Sequence, residues 1–253
     1  MEWMPLKVAR VNWFSTYHVH HRVAGGFSKG RAFLLGDAAH IHSPVGGQGM
    51  NTGIGDAVNL ARKLAWVLQG RADESILESY EPERIAFARR LVKTTDQAFT
   101  AVTSSGPIAR FLRLDIVPAV LPLLFSFGPM RRLLYRTVLQ TDVNYRKSPL
   151  SAGQVGSVHG GDRLPWVKIV GADNFAPLTA LWQVHVYGEA TNDLRKICSD
   201  RVLPLHVFPW GEHMPRAGLS RNAVYLLRPD GYIAVAALQS KRDASLIILT
   251  PIT

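Results

Sequence analysis

The sequence predicts an α/β chain in two parts, and three observations carry that expectation. A short apolar run, Arg31 to Leu35, closes on Gly36-Asp37, as a strand buried on both faces does when its end must leave room for a ligand. A glycine-rich loop, Pro44 to Gly53, then leads into apolar residues at helical spacing. Near Tyr145 to Gly153 that periodicity gives way to Gly, Ser and Pro, and β-rich segments follow. The expected divisions are 1–30, 31–145 and 146–253.

Each element follows from its residues. Asp37, directly after the strand, offers a carboxylate to sugar or polyol hydroxyls at the carboxyl edge of a sheet, where α/β folds bind ligands. Pro44 stiffens the loop, and Gly46, Gly47, Gly49 and Gly53 permit positive φ and let backbone amides approach a planar ligand. Ile54, Ala57, Val58, Ala61, Leu64, Ala65 and Leu68 predict a helix that starts in this loop and stops near Gly70. The positive end of that helix favours an anion. A reduced flavin, negative on the N1/C2-oxygen side of its ring, matches both shape and charge.

The run from Tyr17 to about Asp96 resembles the FAD-dependent aromatic-ring monooxygenases, the family of phenol and para-hydroxybenzoate hydroxylases. The resemblance implies that Gly36 and Asp37 hold the ribityl chain of FAD. It implies that Pro44, Gly47, Gly49, Met50 and Asn51 lie against the isoalloxazine. The amides around Gly49 and Met50 would serve the flavin C2 oxygen, Asn51 the pyrimidine edge, and Pro44 the loop wall beside the reacting carbon. Asp56-Ala57-Val58-Asn59-Leu60 continues the family pattern, with Arg62 where a Trp is common.

The Gly-x-Gly-x-x-Gly turn that cradles the FAD pyrophosphate in this family does not occur in the sequence; Gly47-Gln48-Gly49 with Gly53 has the wrong spacing. Residues 1–30, including Val19-His20-His21-Arg22-Val23, resemble the last strands of the family's substrate-binding sheet. The chain therefore resembles the C-terminal half of a larger enzyme. The implied fold is a partial FAD-binding, Rossmann-like remnant with long helices over 31–145, followed by a thioredoxin-like α/β domain over 146–253.

Pro82 opens a long helix with an apolar stripe of Ile85, Ala88, Val92, Phe99 and Val102. Ile108 to Gln140 is rich in Leu, Pro and Val. Its apolar stretch, Val117 to Phe127, is too short for a membrane span, is interrupted by Pro118 and Pro122, and reads as helices packed on a neighbouring domain or subunit. Beyond the boundary, strands are expected around Leu181 to Tyr187 and Leu203 to Phe208. Pro229-Asp230-Gly231 supplies a hairpin turn. These, with Gly161-Asp162-Arg163-Leu164-Pro165, resemble the thioredoxin-like domain of the phenol-hydroxylase branch. A Cys-x-x-Cys pair is lacking, so the domain is expected to serve packing or dimer formation. Leu246 to Pro251 reads as an edge strand.

Composition narrows the function classes. The 253 residues are 47% hydrophobic, enough to fill a core, and carry a formal charge of +10. The densest basic pairs, Arg131-Arg132 and Lys241-Arg242, do not form a patch, so an anionic cofactor is a simpler partner than nucleic acid or a membrane. The single cysteine, Cys198, suits a reducing cytoplasm and reads as a small buried hydrophobe, and the N-terminus shows no secretory signal. His18 with His20, and His40 with His42, are pairs where zinc needs three or four ligands, so no metal is expected. Ser43, Ser104 and Ser105 lack a nucleophile-elbow context.

The resemblance implies that NADH or NADPH reduces FAD, dioxygen adds at C4a, and the resulting hydroperoxide delivers one oxygen to a small activated aromatic substrate. It assigns no general base within this chain. The implied partners are a second copy in a homodimer or a separate N-terminal FAD-binding half. Two other functions compete: a non-catalytic remnant or dimerisation module that binds FAD poorly, and a metal-dependent enzyme using the histidines. Without the pyrophosphate cradle, the chain alone is expected to bind FAD weakly.

Overall fold

The computed structural model describes residues 10, 12–16, 20–42, 47–104, 106–169 and 171–239. Strand β1 (Arg22–Val23) pairs antiparallel with β4 (His40–Ile41), and between them β2 (Ser28–Lys29) and β3 (Ala32–Phe33) form a hairpin. Gly30 makes its turn at φ 58°. Phe27, Tyr80, Leu60, Ile85 and Ala88 pack a small core beneath this unit. The Glu81 carboxylate fastens the hairpin by accepting from the backbone N–H of Phe27 and Ser28. The 30/31 division thus falls in the turn of a hairpin.

The expected strand over Arg31 to Leu35 is corrected here. Only Ala32 and Phe33 are paired, and Leu34 and Leu35 are 40% and 38% exposed. Burial on both faces needs layers above and below. Among the described residues β3 has one pairing partner, β2.

Helix α1 (Gly49–Leu68) begins in the glycine loop and stops before Gly70, which takes φ 67° and donates to the Val67 carbonyl. Its buried side is Thr52, Asp56, Asn59, Leu60, Lys63 and Trp66, whereas Ile54, Val58 and Leu68 of the apolar stripe face outward. The helix is inverted relative to an ordinary amphipathic one. After a 3-10 turn over Glu74–Ser79, capped by the Asp73 carboxylate, α2 (Tyr80–Thr103) runs back with Ile85, Ala88 and Leu91 buried.

Helices α3 (Pro107–Phe111), α4 (Val117–Ser126) and α5 (Gly128–Val138) follow, with a π-turn over Leu112–Ile116 joining the first two. Ile108, Phe111, Leu114, Leu123, Phe127 and Leu133 are all more than half exposed. No helix among the described residues is long and apolar enough to cross a membrane.

Beyond α5 come two hairpins, β5 (Gln154–Val155) with β6 (Val158–His159) and β7 (Lys168–Ile169) with β8 (Ala172–Asp173). A four-stranded sheet follows, built from β9 (Gln183–Tyr187), β10 (Leu205–Phe208), β11 (Val224–Leu227) and β12 (Ile233–Ala237), in the order β10-β9-β11-β12. The pair β9 and β10 is parallel, joined through α6 (Asn192–Asp200); β11 is antiparallel to both β9 and β12. A short helix, α7 (His213–Arg216), lies between β10 and β11. Alternation along β9 and β11 sends Val184, Val186, Val224 and Leu226 to one core and Tyr187, Tyr225 and Leu227 to the other. The first core includes Trp66 of α1, edge-on to Trp182 at 6.0 Å, so α1 is part of the packing of this sheet. The strands expected around Leu181 to Tyr187 and Leu203 to Phe208 and the Pro229-Asp230-Gly231 turn are present, with Gly231 at φ 78°. Leu246 to Pro251 lies outside the described residues.

Candidate functional site

The site is a junction between a turn and a helix start. Gly36–Ala38 forms one 3-10 turn after β3, with Gly36 at φ 57°, a conformation that glycine adopts without strain. A Cβ on Gly53 would stand 3.4 Å from the Gly36 Cα, so this turn lies directly against the first turns of α1. Asp37, Met50 and Asn51 are exposed, Met50 by 73%, and Gly47 is exposed at φ 62°. Of the seven sequence-predicted residues, Gly36 and Asp37 lie on the 3-10 turn, Gly49, Met50 and Asn51 on the neighbouring first turn of α1, and Gly47 directly before its N-cap Gln48. Pro44 lies outside the described residues, as does His18.

The start of α1 has no side-chain cap and no acidic residue in its first turn. The N–H groups of Gly49, Met50 and Asn51 precede the first helical repeat and have no partner within the helix, whereas Thr52 N–H already reaches the Gln48 carbonyl. Gln140, from the end of α5, supports this turn from outside by donating to the Gln48 carbonyl and the Thr52 hydroxyl. Three amides that no side chain among the described residues caps, in a first turn free of acidic residues, suit an anionic or carbonyl-bearing planar group. That donor set fits the pyrimidine side of a flavin.

Under this surface is a buried carboxylate. Asp56 Oδ2 accepts from Gly36 N–H at 3.0 Å and meets His40 Nε2 at 2.8 Å, and Oδ1 accepts from Arg84 Nε at 2.6 Å. Arg84 also donates to the Thr52 carbonyl at 3.1 Å and to the Tyr145 hydroxyl at 3.0 Å. Burial pushes the Asp56 carboxyl up, but the His40 bond, the Arg84 charge and bond, and the Gly36 amide outweigh it and leave it below its ordinary value. The His40 ring stacks on His42 at 6.3 Å, with Nε2 engaged by Asp56. Among the described residues, no three His, Cys, Asp or Glu side chains group to hold a metal.

A second buried cluster lies one helical turn further along α1. Glu83 accepts from Arg228, Lys63, Asn59 and Ser148 at 2.6–3.0 Å, and Asp230 accepts from Arg62 and Arg228, both at 2.8 Å. Burial and the neighbouring Arg228 charge hold Lys63 down at about 8 against the pull of Glu83. Sequence reasoning named Asp56 only as part of the family pattern and assigned no role to it, Lys63, Glu83, Arg84, Tyr145 or Arg228. Thr52, Asp56, Asn59 and Lys63 recur at helical spacing as one polar stripe, which by itself reads as a solvated face opposite the apolar one.

The sequence itself matches the family described as "FAD binding domain" over residues 4–95. Over 90% of its length it is 31% identical to the tetracenomycin A2 monooxygenase-dioxygenase of Streptomyces glaucescens. The chain belongs to the FAD-dependent aromatic-ring monooxygenase family. It is also 39% identical, over 62% of its length, to the 6-methylpretetramide 4-monooxygenase of Streptomyces rimosus. It spans 42% and 29% of these two relatives, respectively. Among family structures it is similar to the rebeccamycin biosynthetic enzyme RebC with reduced flavin, at TM-score 0.67 and 29% identity, covering 94% of this chain and 48% of RebC. It is likewise similar to CabE, an aromatic hydroxylase from angucycline biosynthesis, at TM-score 0.64 and 28% identity, covering 90% and 46%.

Proposed function

We propose that this chain supplies the ring-binding half of a flavin site in an NAD(P)H-dependent aromatic hydroxylase. The observation that carries the reading is the uncapped, acid-free start of α1, set against the Gly36-Asp37 turn through Gly53. FAD, when bound, supplies the redox chemistry: it accepts a hydride from NADH or NADPH and activates dioxygen at C4a. Asp37 accepts from the ribityl hydroxyls. The amides of Gly49 and Met50 donate to the flavin C2 oxygen and stabilise charge on the reduced ring. Asn51 serves the pyrimidine edge, and Gly36 and Gly47 keep the approach free of Cβ atoms.

The substrate is a small aromatic, in keeping with the names aromatic compound monooxygenase and pentachlorophenol 4-monooxygenase among the relatives. Activity also requires a pyrophosphate cradle, whether in the same polypeptide or in another. The outward apolar residues Ile54, Val58, Leu34 and Leu35 support a partner surface beside the site. Exposed α3–α5 supports the alternative emphasis, a homodimer through those helices. The order β10-β9-β11-β12, with a parallel pair joined by a helix and then an antiparallel pair, supports a thioredoxin-like reading of residues 146–253 beside a Rossmann-like remnant. A reducing cytoplasm suits the buried free thiol of Cys198.

Co-expression with a dinucleotide-binding half from a family member tests the proposal. The expected result is a yellow complex that oxidises NADPH and forms a hydroxylated phenol. A colourless mixture with no product would reject it.

A further inference from the structure

We propose that Asp56, Arg84 and Tyr145 form a positioning relay through which the C-terminal domain sets the geometry of the flavin-facing turn; this rests on reading that turn as FAD-binding. The relay starts at the ligand side. Asp56 fixes the Gly36 amide, and Arg84 fixes both Asp56 and the Thr52 carbonyl, so one guanidinium holds the 3-10 turn and the first turn of α1 in register. Space there is tight, since a Cβ on Gly55 would stand 3.1 Å from Arg84 Nη2.

The far end, Tyr145, directly precedes the C-terminal domain and is held by it. Tyr145 takes the remaining Arg84 arm, 61 positions away in sequence, through its hydroxyl. Its ring lies 4.3 Å from that of Tyr232, and Arg228 sits over it at 5.3 Å. Its backbone N–H donates to the Gly161 carbonyl. Arg228 in turn is clamped by Glu83, the residue preceding Arg84 on α2. Consecutive residues of one helix thus grip the C-terminal domain and the flavin-facing turn. A fork with five donors distributed over a carboxylate, a carbonyl and a hydroxyl has one low-energy orientation, and loss of any arm frees the others.

Hydrogen exchange of the full chain, read amide by amide, tests the relay without cofactor. Tyr145→Phe keeps the ring and removes one acceptor. It should raise exchange at Gly36 and Thr52, the two hydrogen-bonded amides of the junction, by about tenfold, the weight of one buried hydrogen bond, while β9 and β11 amides stay unchanged. The control is Tyr187→Phe, which removes a buried hydroxyl bonded to Asn174 and unconnected to Arg84. It should leave Gly36 and Thr52 unaffected. FAD titration of the same proteins should show weaker binding for Tyr145→Phe and unchanged binding for Tyr187→Phe. Unaltered exchange at Gly36 in Tyr145→Phe, or equal loosening in the control, would overturn the relay. Should the unsubstituted chain take up no FAD even together with a dinucleotide-binding half, the functional reading fails, and the exchange result alone decides the relay.

Discussion

Arg228 lays both terminal nitrogens on the Glu83 carboxylate, at 2.6 and 3.0 Å, across 145 positions of sequence and inside a fully buried pocket. This fork, rather than apolar contact alone, joins α2 to the β11–β12 turn. Removing one partner of a buried pair leaves an uncompensated charge, so Arg228→Ala should cost about 3–5 kcal/mol in urea unfolding. A loss under 1 kcal/mol would mean that the fork contributes little to stability.

The same cluster gives stability a defined pH profile. Burial raises the Glu83 carboxyl, but Arg228 and Lys63 overwhelm that and hold it far below its ordinary 4.5. A depressed carboxyl contributes stability that is complete above the unfolded value and is lost as pH falls toward the folded one. Unfolding free energy should therefore drop steadily below about pH 4.5. Lys63 acts on the alkaline side: with a folded value of about 8 against 10.5, the unfolded chain holds more protons in that window, and stability should rise with pH there. Lys63→Met should flatten that rise in denaturation curves measured at several pH values.

Legibility differed by element. Gly70, Gly231 and the alternating apolar strands announce helix stop, turn and sheet through local chemistry, and the start of α1 was legible in its glycines. The strand at Arg31 to Leu35 was over-read because burial depends on neighbouring layers that a local run does not contain. The polar stripe Asp56, Asn59 and Lys63 resembles a solvated helix face in any local reading. Its partners Glu83 and Arg84 lie 20 to 28 positions away, and Arg228, which holds Glu83, a further 145; they come together only once the chain has folded.

Asp37 and Gly36 separate ligand binding from stability. Asp37 is exposed, so Asp37→Ala should change stability by no more than about 0.5 kcal/mol yet weaken FAD binding about tenfold through lost hydroxyl contacts. Gly36 sits at φ 57°, and Gly36→Ala should cost about 1–2 kcal/mol of stability through left-handed backbone strain. Thermal unfolding and fluorescence titration distinguish the two effects.

Cys198 is buried beside Leu194 and Val186, and burial pushes its thiol up to about 11. It should resist disulfide reagents at pH 8 in the native chain and react within minutes in denaturant. Rapid native modification would place it outside the core.

The most direct test of the central claim is an amide-resolved NMR titration of the chain with FAD. The largest shift changes should fall on Gly36, Asp37, Gly49, Met50 and Asn51. Saturable binding that leaves those amides unmoved and shifts others instead would contradict the account.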